Sequence, residues 1–133
     1  MKNIIKQKGF TLVELLIVVI ILSVLSGIAI PSYFIITERA NISATKADMK
    51  NISTCLEIYL NKNTHYPSSA QGISILEDEN MMADVPDSDK WGSSYVYESD
   101  GQEYELRSLG SDKVSSTQDD IVLENGIFTS GNN

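Results

Sequence analysis

The chain of 133 residues carries 18 acidic and 10 basic side chains, so its formal net charge at neutral pH is −8. Such a length suggests one domain, and the acidic balance argues against a surface that binds DNA or anionic lipid. Its single cysteine, Cys55, excludes a disulfide within the chain. If the soluble part of the chain lies outside the cytoplasm, it would therefore need a means of stabilisation other than a disulfide.

An apolar segment occupies residues 10–30, and Glu14 is the only charged residue in it. At about 1.5 Å per residue the segment makes roughly 30 Å of helix, which matches the hydrocarbon thickness of a bilayer. The residues after Gly9 carry seven basic and eighteen acidic side chains, a balance of −11, while the residues before it include three lysines, Lys2, Lys6 and Lys8. The pattern predicts a membrane anchor attached to a small, acidic, soluble head.

The stretch K-G-F-T-L-V-E at residues 8–14 has three interpretations. A cleaved secretory signal is disfavoured, because the apolar run is too long and no small-x-small cleavage site follows a short core. A plain anchor is disfavoured, because a carboxylate at the centre of a membrane helix costs about 2.5–3.5 kcal/mol, and less near its end. The third interpretation is a processing site at the cytoplasmic edge of the membrane.

In this third interpretation the stretch resembles the type IV pilin-like family, which includes type IV pilins and the pseudopilins of type II secretion. The resemblance implies that a prepilin peptidase cuts after Gly9 and methylates Phe10. Glu14 would then be the fifth residue of the mature chain. An unpaired carboxylate and an unpaired ammonium are both costly in hydrocarbon, so Glu14 of one subunit could meet the Phe10 amine of its neighbour in a filament. We expect this pair to enforce register more than it adds net stability, because breaking it strands a buried charge.

Pro31 follows the apolar run directly. A proline inside a helix removes one hydrogen bond and clashes with the preceding turn, so Pro31 either ends the helix or bends it. We favour a bend, because residues 42–59 resume a helical stripe of apolar and small side chains at steps of three and four. The helix is predicted to run to about residue 60 and to pack against a small sheet. A coiled-coil partner is the alternative.

The stretch LEIYLNKNTHYPSSAQGISIL, residues 56–76, resembles the major pseudopilins of type II secretion more narrowly, through Leu56, Tyr59, Tyr66-Pro67 and Gln71-Gly72. The acid-rich segment 77–90 is predicted to be a solvated loop, with a weak cation site as the alternative. Residues 91–110 then predict a β-hairpin, because apolar and polar residues alternate on both sides of the strong turn signal Asp100-Gly101.

The loop SLGSDKVSSTQDDI, residues 108–121, is the candidate metal site. Calcium prefers six to eight carboxylate and carbonyl oxygens, and a loop that doubles back could bring Asp112 and Asp119 together. On composition alone a solvated acidic loop is favoured over a calcium site. Major pseudopilins, however, carry a similar S-x-G-x-D…D-D-I pattern, and this resemblance implies a calcium ion here.

The ligands predicted from that resemblance are the Asp112 and Asp119 carboxylates and the Leu109 backbone carbonyl, with Asp120 as either a further ligand or a cap. Lys113 and Ser116 stand where the pattern has glycine. Both substitutions bear on whether this loop keeps the backbone conformation of its relatives.

We therefore predict an α+β, pilin-like fold in which a long N-terminal α-helix packs on a small antiparallel β-sheet. The expected organisation is a cleaved leader over residues 1–9, a transmembrane assembly helix over 10–30 and a periplasmic head over 31–133. No catalytic pattern is visible, so the predicted role is structural.

By resemblance, the chain would be one subunit of a homo-oligomeric pseudopilus. It would be anchored in the bacterial inner membrane by a single pass and would work with minor pseudopilins and an assembly platform. A type IV pilin of a surface fibre is the alternative, and a membrane-tethered ligand-binding module is a third possibility that would need an apolar pocket.

Overall fold

The computed structural model describes residues 9–131, so most of the predicted leader lies outside the described residues. The described chain divides into two compact units, with the division between Glu38 and Arg39. The domain boundaries predicted after residues 9 and 30 stay predictions. The elements follow in the order α1 (Leu12–Asn63), α2 (Ile75–Asp78), β1 (Val96–Ser99), β2 (Tyr104–Ser108), β3 (Ile121–Glu124) and β4 (Ile127–Ser130).

Within the first unit, α1 begins at Leu12 and continues through position 31, so the predicted continuation of the helix past Pro31 is confirmed. The bend at this proline stays a prediction. Two hydroxyls in the apolar segment, those of Ser23 and Ser26, each donate a 2.7 Å hydrogen bond to the carbonyl four residues earlier. These polar groups are therefore satisfied inside the helix, as a lipid environment requires.

Within the second unit, α1 presents the predicted stripe to the core. Five members of the stripe are at most 5 % exposed, namely Thr45, Met49, Ile52, Leu56 and Tyr59. The helix ends at Asn63, close to the predicted end. Thr64 follows with φ +66°, and its N–H donates a 2.7 Å bond to the Leu60 carbonyl. A residue in this left-handed conformation is a common way for a helix to end.

The four strands form one antiparallel sheet in the order β1-β2-β3-β4. The β1–β2 hairpin is the one predicted around Asp100-Gly101, and side chains in β2 alternate between buried and half-buried as expected. The β3–β4 hairpin was not predicted. It turns at Asn125-Gly126, where both residues have positive φ, and Asn-Gly is the dipeptide most typical of such a turn.

The core joins α1 to the sheet through apolar side chains and buried tyrosines, among them Tyr66, Tyr97 and Tyr104. Tyr66 and Tyr104 meet edge to face, with ring centroids 4.8 Å apart. The hydroxyls of all three donate hydrogen bonds: Tyr66 to Glu57, Tyr97 to the Pro67 carbonyl and Tyr104 to Ser53. These three rings thus contribute apolar area while their hydroxyls stay hydrogen-bonded. This arrangement confirms the predicted α+β architecture.

The prediction of a solvated loop over residues 77–90 is wrong for part of that segment. α2 extends into it, and both Val85 and Asp89 are at most 5 % exposed. The Asp89 carboxylate accepts hydrogen bonds from the Trp91 and Ser93 N–H groups and from the Ser108 hydroxyl. These three donors replace water, which is why an acid can be buried here.

Candidate functional site

The first candidate site is the N-terminal end of α1. Thr11 precedes the helix, and its N–H and hydroxyl both donate 2.8 Å hydrogen bonds to Glu14 Oε2. In return, the Thr11 hydroxyl accepts a 3.2 Å bond from the Glu14 N–H. This is a capping box, in which a threonine before the helix and an acid three residues later satisfy each other's backbone donors. Glu14 therefore helps to cap the N-terminal end of its own helix, a role that the plain-anchor interpretation did not include.

The sequence pattern predicted a role for Glu14, whereas no role was predicted for Thr11. The available signal was Thr-x-x-Glu directly before an apolar run, which is a recognised helix-start pattern. Both hydrogen bonds from Thr11 use Glu14 Oε2, and among residues 9–131 no donor is bonded to Oε1. Phe10, the predicted mature N-terminus, is 83 % exposed. One carboxylate oxygen of Glu14 and the Phe10 end are therefore both open to another molecule.

The anchor segment, residues 10–30, presents apolar side chains to its surroundings. Its described large apolar side chains are all between 45 % and 83 % exposed. By length and composition, α1 is able to cross a membrane. A helix that is apolar on every side, and whose sides are not covered by the rest of its chain, requires lipid or other helices around it.

The second candidate site is the aspartate loop, residues 109–120, which joins β2 to β3. Gly110, Lys113 and Ser116 have φ values of +65°, +59° and +68°. The two residues that replace glycine therefore keep the left-handed backbone that glycine would adopt. This conformation costs an L-residue about 1–2 kcal/mol, so Lys113 and Ser116 each carry some backbone strain.

Asp119 lies at the centre of the loop and is half-buried. Its Oδ2 accepts hydrogen bonds from the Asp112 N–H (3.0 Å) and the Ser111 hydroxyl (3.2 Å), and its Oδ1 accepts a 2.7 Å bond from the Thr117 hydroxyl. Burial alone would raise the pKa of the Asp119 carboxyl. The hydrogen bonds from Asp112, Thr117 and Ser111 outweigh burial and lower its pKa to about 2. The carboxylate is thus strongly held in its charged form.

Asp112 is brought to Asp119 as predicted, because the loop doubles back. Its Oδ1 accepts a 2.8 Å hydrogen bond from the Val114 N–H and lies 3.3 Å from the Thr117 hydroxyl oxygen. Leu109, whose carbonyl is a predicted ligand, is half-buried between the end of β2 and Gly110. Its role as a ligand stays a prediction.

Asp120 is only 2 % exposed and acts as a cap, one of its two predicted roles. Its Oδ2 accepts hydrogen bonds from the Ser116 N–H (2.8 Å) and from Arg107 Nη1 (3.3 Å). Arg107 also donates two bonds to Glu105, of 2.9 Å and 2.6 Å. The buried carboxylate is therefore paired, and its Oδ1 points into the loop at 3.4 Å from the Thr117 hydroxyl.

Thr117 and Val114 also lie among these acids, although neither was predicted from the sequence to belong to the site. The Thr117 hydroxyl oxygen lies within 3.4 Å of oxygens from Asp112, Val114, Asp119 and Asp120. Among residues 9–131, no group of three or more His, Cys, Asp and Glu side chains is arranged to hold a metal ion by itself. A cation in this loop would therefore need carbonyl and hydroxyl oxygens beside the carboxylates.

A further groove, of about 560 Å³, lies beside the β1–β2 turn. Five of the residues that line it are acidic, namely Glu98, Asp100, Glu103, Glu105 and Glu124, and no aliphatic side chain is among them. It does not provide the apolar pocket that the tethered ligand-binding interpretation requires.

Comparisons with known proteins agree with the anchor and with the head. The Prokaryotic N-terminal methylation motif matches residues 4–30, in agreement with a pilin-like N-terminal segment. The family described as Type II secretion system (T2SS), protein G matches residues 33–124. The chain belongs to this protein G family.

Individual relatives support the assignment. The chain is 31 % identical over 132 residues to the type II secretion system core protein G of Escherichia coli (strain K12), covering 88 % of this chain and 90 % of that protein. It is 33 % identical over 131 residues to that of Pectobacterium carotovorum subsp. carotovorum, covering 87 % and 83 %. The crystal structure of the major pseudopilin from the type 2 secretion system of enterohaemorrhagic Escherichia coli matches with a TM-score of 0.57 and 25 % identity, over 65 % of this chain and 84 % of that one.

Proposed function

We propose that this chain is a structural subunit of a pseudopilus, a helical filament that grows from the inner membrane and drives protein export by type II secretion. The observation that carries the proposal is the combination, in one chain, of a methylation-motif anchor with a head of the protein G family. The role needs no catalytic group, and we assign none. The acidic balance of the chain argues against nucleic acid as its partner.

In this proposal a prepilin peptidase removes the leader after Gly9 and methylates Phe10. Residues 10–30 hold the subunit in the inner membrane by a single pass, with the head in the periplasm, until it joins other copies. Minor pseudopilins and a membrane assembly platform would be its partners. Mass spectrometry of the native protein tests the first step, because a chain with residues 1–9 still attached would contradict it.

A deletion strain that lacks this protein distinguishes a pseudopilus subunit from a type IV pilin. A defect in secreted proteins without loss of surface fibres supports the pseudopilus. Loss of surface fibres with normal secretion would instead indicate a type IV pilin.

Assembly depends, in this proposal, on a charge pair between neighbouring subunits. Glu14 Oε2 stays with Thr11 in the isolated chain, while Oε1 is available to the ammonium that processing creates on Phe10. Each charge then offsets the other's cost in hydrocarbon. Before assembly, the hydrogen bonds of the helix cap thus lower the cost of the Glu14 carboxylate in the membrane. After assembly, the carboxylate pairs with the amine of the neighbouring subunit.

Two variants distinguish the cap from the charge pair. Glu14→Gln keeps an amide oxygen that accepts the Thr11 bonds, because glutamine also serves in a capping box, but it removes the charge. Glu14→Val removes both. We expect both variants to reach the membrane fraction and both to fail in filament formation, measured by electron microscopy. Normal filaments from Glu14→Gln would refute the charge pair, since only the cap would then matter.

We further propose that the aspartate loop binds a structural calcium ion. The chemistry of the donors suits calcium, because the loop carries the carboxylates of Asp112, Asp119 and Asp120 beside the backbone carbonyls of Leu109 and Val114, and calcium prefers these ligand types. Calcium would supply positive charge among three acids and cross-link a loop that no disulfide can close. It would stabilise the head by mass action, because the unfolded chain has no such site.

Chelation tests this proposal. Full-length protein in detergent micelles should unfold at a lower temperature in EGTA than in millimolar calcium, and magnesium should restore little of the loss because it demands a tighter octahedral shell. Asp119→Asn should abolish the calcium-dependent shift, whereas Asp84→Asn, on an exposed residue outside the loop, should keep it. A wild-type unfolding temperature that is the same in EGTA and in calcium would remove the calcium proposal.

A further inference from the structure

Three glutamates lie side by side on the face of the sheet that is turned away from α1. Glu98 of β1 is opposite Glu105 of β2, and Glu105 is opposite Glu124 of β3. Leu106 and Leu123, which neighbour two of them in sequence, are buried in the core. Since successive side chains of a strand point to opposite faces, the three glutamates share the outer face. We call them the glutamate row.

The glutamate row opposes like charges within the isolated chain. Acids directly opposite each other on neighbouring strands repel, which lowers the stability of the sheet. Within residues 9–131, the row forms one ion pair, which joins Glu105 Oε1 to Arg107 Nη2 at 2.6 Å. Glu98 and Glu124 are exposed and form no ion pair with the described residues. The row therefore carries negative charge that a cation from another molecule would neutralise.

The shape of this surface suits one long cationic side chain. The row lies in the groove of about 560 Å³ beside the β1–β2 turn, which Asp100 and Glu103 also line. In the register of β3 and β4, Glu124 is opposite Ile127, which is 69 % exposed. A long cationic side chain packs its stem on apolar surface and places its charged end at carboxylates.

The head itself carries a cation of this kind. Residues 9–131 include seven basic side chains. Five of them contact another group of the chain, namely Lys46, Lys50, Lys62, Lys90 and Arg107. The other two, Arg39 and Lys113, are exposed, and their side chains form no ion pair with the described residues. Lys113 lies in the aspartate loop, whose acids offset its charge, so Arg39 is the better match.

Arg39 cannot reach the glutamate row of its own chain. The Tyr104 hydroxyl, beside Glu105 in sequence, donates a 2.8 Å hydrogen bond to Ser53 of α1, which marks the level of the row along the helix. Arg39 lies fourteen positions before Ser53, or about 21 Å along the helix axis. The row also faces away from α1. A second copy, displaced along α1 by a similar distance, brings its own Arg39 to the row.

We propose that the glutamate row is the surface on which a neighbouring copy of this chain docks, with the Arg39 guanidinium of that copy bound between Glu98 and Glu105. This inference rests on the proposed filament and adds to it a contact between heads. Neighbouring strands are about 4.8 Å apart, and a planar guanidinium can serve two carboxylates, as Arg107 serves Glu105 and Asp120.

The proposed contact joins two different parts of the chain. Every copy offers its glutamate row to one neighbour and its Arg39 to another. Such a head-to-tail contact repeats without limit when its rotation does not close a ring, and it then generates a helical filament. The contact is therefore of the type that the proposed pseudopilus requires.

Charge reversal tests the contact in cells that assemble the full-length protein. Glu98→Arg should lower the filament yield, measured by electron microscopy, about fivefold or more, because attraction to Arg39 becomes repulsion. The variant head should nevertheless unfold at the same or a higher temperature than wild type, since one of the opposed charges is gone. Asp87→Arg, on an exposed acid outside the row, is the matched control and should assemble normally.

A second reversal tests the partner. Arg39→Glu should reduce the filament yield as much as Glu98→Arg does. The double variant Arg39→Glu with Glu98→Arg restores opposite charges across the contact, so most of the wild-type yield should return. Lys113→Glu combined with Glu98→Arg should bring no recovery, because Lys113 is not the docking cation.

Cysteine cross-linking tests the geometry. With a short bis-maleimide, Arg39→Cys and Glu98→Cys in one chain should give a ladder of dimers, trimers and longer species, because each copy then carries both halves of a head-to-tail contact. Each single variant keeps the native Cys55 beside one new thiol. The single variants therefore control for cross-links through Cys55 and should give no ladder.

Each outcome decides the inference. Filament loss in both single reversals, recovery in their double variant and a ladder in the double-cysteine variant support it. Normal filaments from Glu98→Arg, a lower unfolding temperature for that variant, or rescue by Lys113→Glu in place of Arg39→Glu would overturn it. The pseudopilus proposal would then still stand, since the deletion strain tests it separately. Absence of filaments from the wild type overturns both.

Discussion

Gly110 offers a quantitative test of how the aspartate loop is built. A Cβ added at this position would lie 2.5 Å from the Asp119 carbonyl oxygen and 2.6 Å from Asp119 Oδ2. An ordinary carbon–oxygen contact is about 3.3–3.6 Å, so each pair would overlap by roughly 0.7–1 Å. Since one of the two oxygens belongs to the backbone, rotation of the Asp119 side chain cannot relieve the clash.

We therefore expect Gly110→Ala to destabilise the head by two separate effects. Placing alanine at φ +65° costs about 1–2 kcal/mol, and forcing Asp119 aside adds about 1–3 kcal/mol, as overpacking does elsewhere. Gly72→Ala is the matched control, because Gly72 has φ +64° and no atom within 4 Å of its added Cβ. The control should carry the first cost alone.

The assay is urea unfolding of the full-length chain in detergent micelles with EGTA, followed by the fluorescence of Trp91. This is the chain's only tryptophan and packs partly buried against the core of the head. The free energy of unfolding of Gly110→Ala should fall about 1–3 kcal/mol below that of Gly72→Ala. Equal losses in the two variants would refute the close packing of Asp119 on Gly110.

Two further predictions concern strain and charge in the head. Lys113→Gly and Ser116→Gly should each raise the free energy of unfolding in EGTA by about 0.5–1 kcal/mol. Glycine relieves the strain of the left-handed backbone, and the entropy that it adds to the unfolded chain offsets only part of this gain. A loss of stability in either variant would contradict the strain. Hydrogen bonds from the Glu103 and Gln102 N–H groups lower the pKa of Asp100 in the folded chain. The charged carboxylate therefore stabilises the fold at pH values above its unfolded pKa of about 4. This stabilisation is lost as the pH falls through the lower folded pKa. Asp100→Asn should thus be less stable than wild type at pH 6 and equal to it at pH 2, and a difference that persists at pH 2 would count against the charge.

The sequence alone determined the features that depend on local pattern. The anchor at residues 10–30 follows from the length and apolarity of one continuous run. The buried stripe of α1 follows from the helical period, and the β1–β2 hairpin follows from alternation around Asp100-Gly101. The Thr11–Glu14 cap and the Asn125-Gly126 turn are also local, so both could have been predicted from residues already in view.

Contacts between distant segments could be settled only by the tertiary structure. Asp89 is buried because Ser108, nineteen positions away, supplies one of its donors. An acidic segment has the same composition whether water or protein satisfies it, so the sequence favoured the wrong answer for part of residues 77–90. The conformations of Lys113 and Ser116 were equally open, because side-chain type makes a left-handed backbone costly but does not forbid it.

Thr117 shows the same limit at the candidate metal site. The spacing of Asp112, Asp119 and Asp120 indicated which acids to compare, but a threonine in an acidic loop carries no signal of its own. Its hydroxyl becomes notable only when the folded loop sets it within 3.4 Å of four oxygens. Residue types and their spacing can be read directly from the sequence, whereas the convergence of several oxygens on one hydroxyl depends on how the loop folds back.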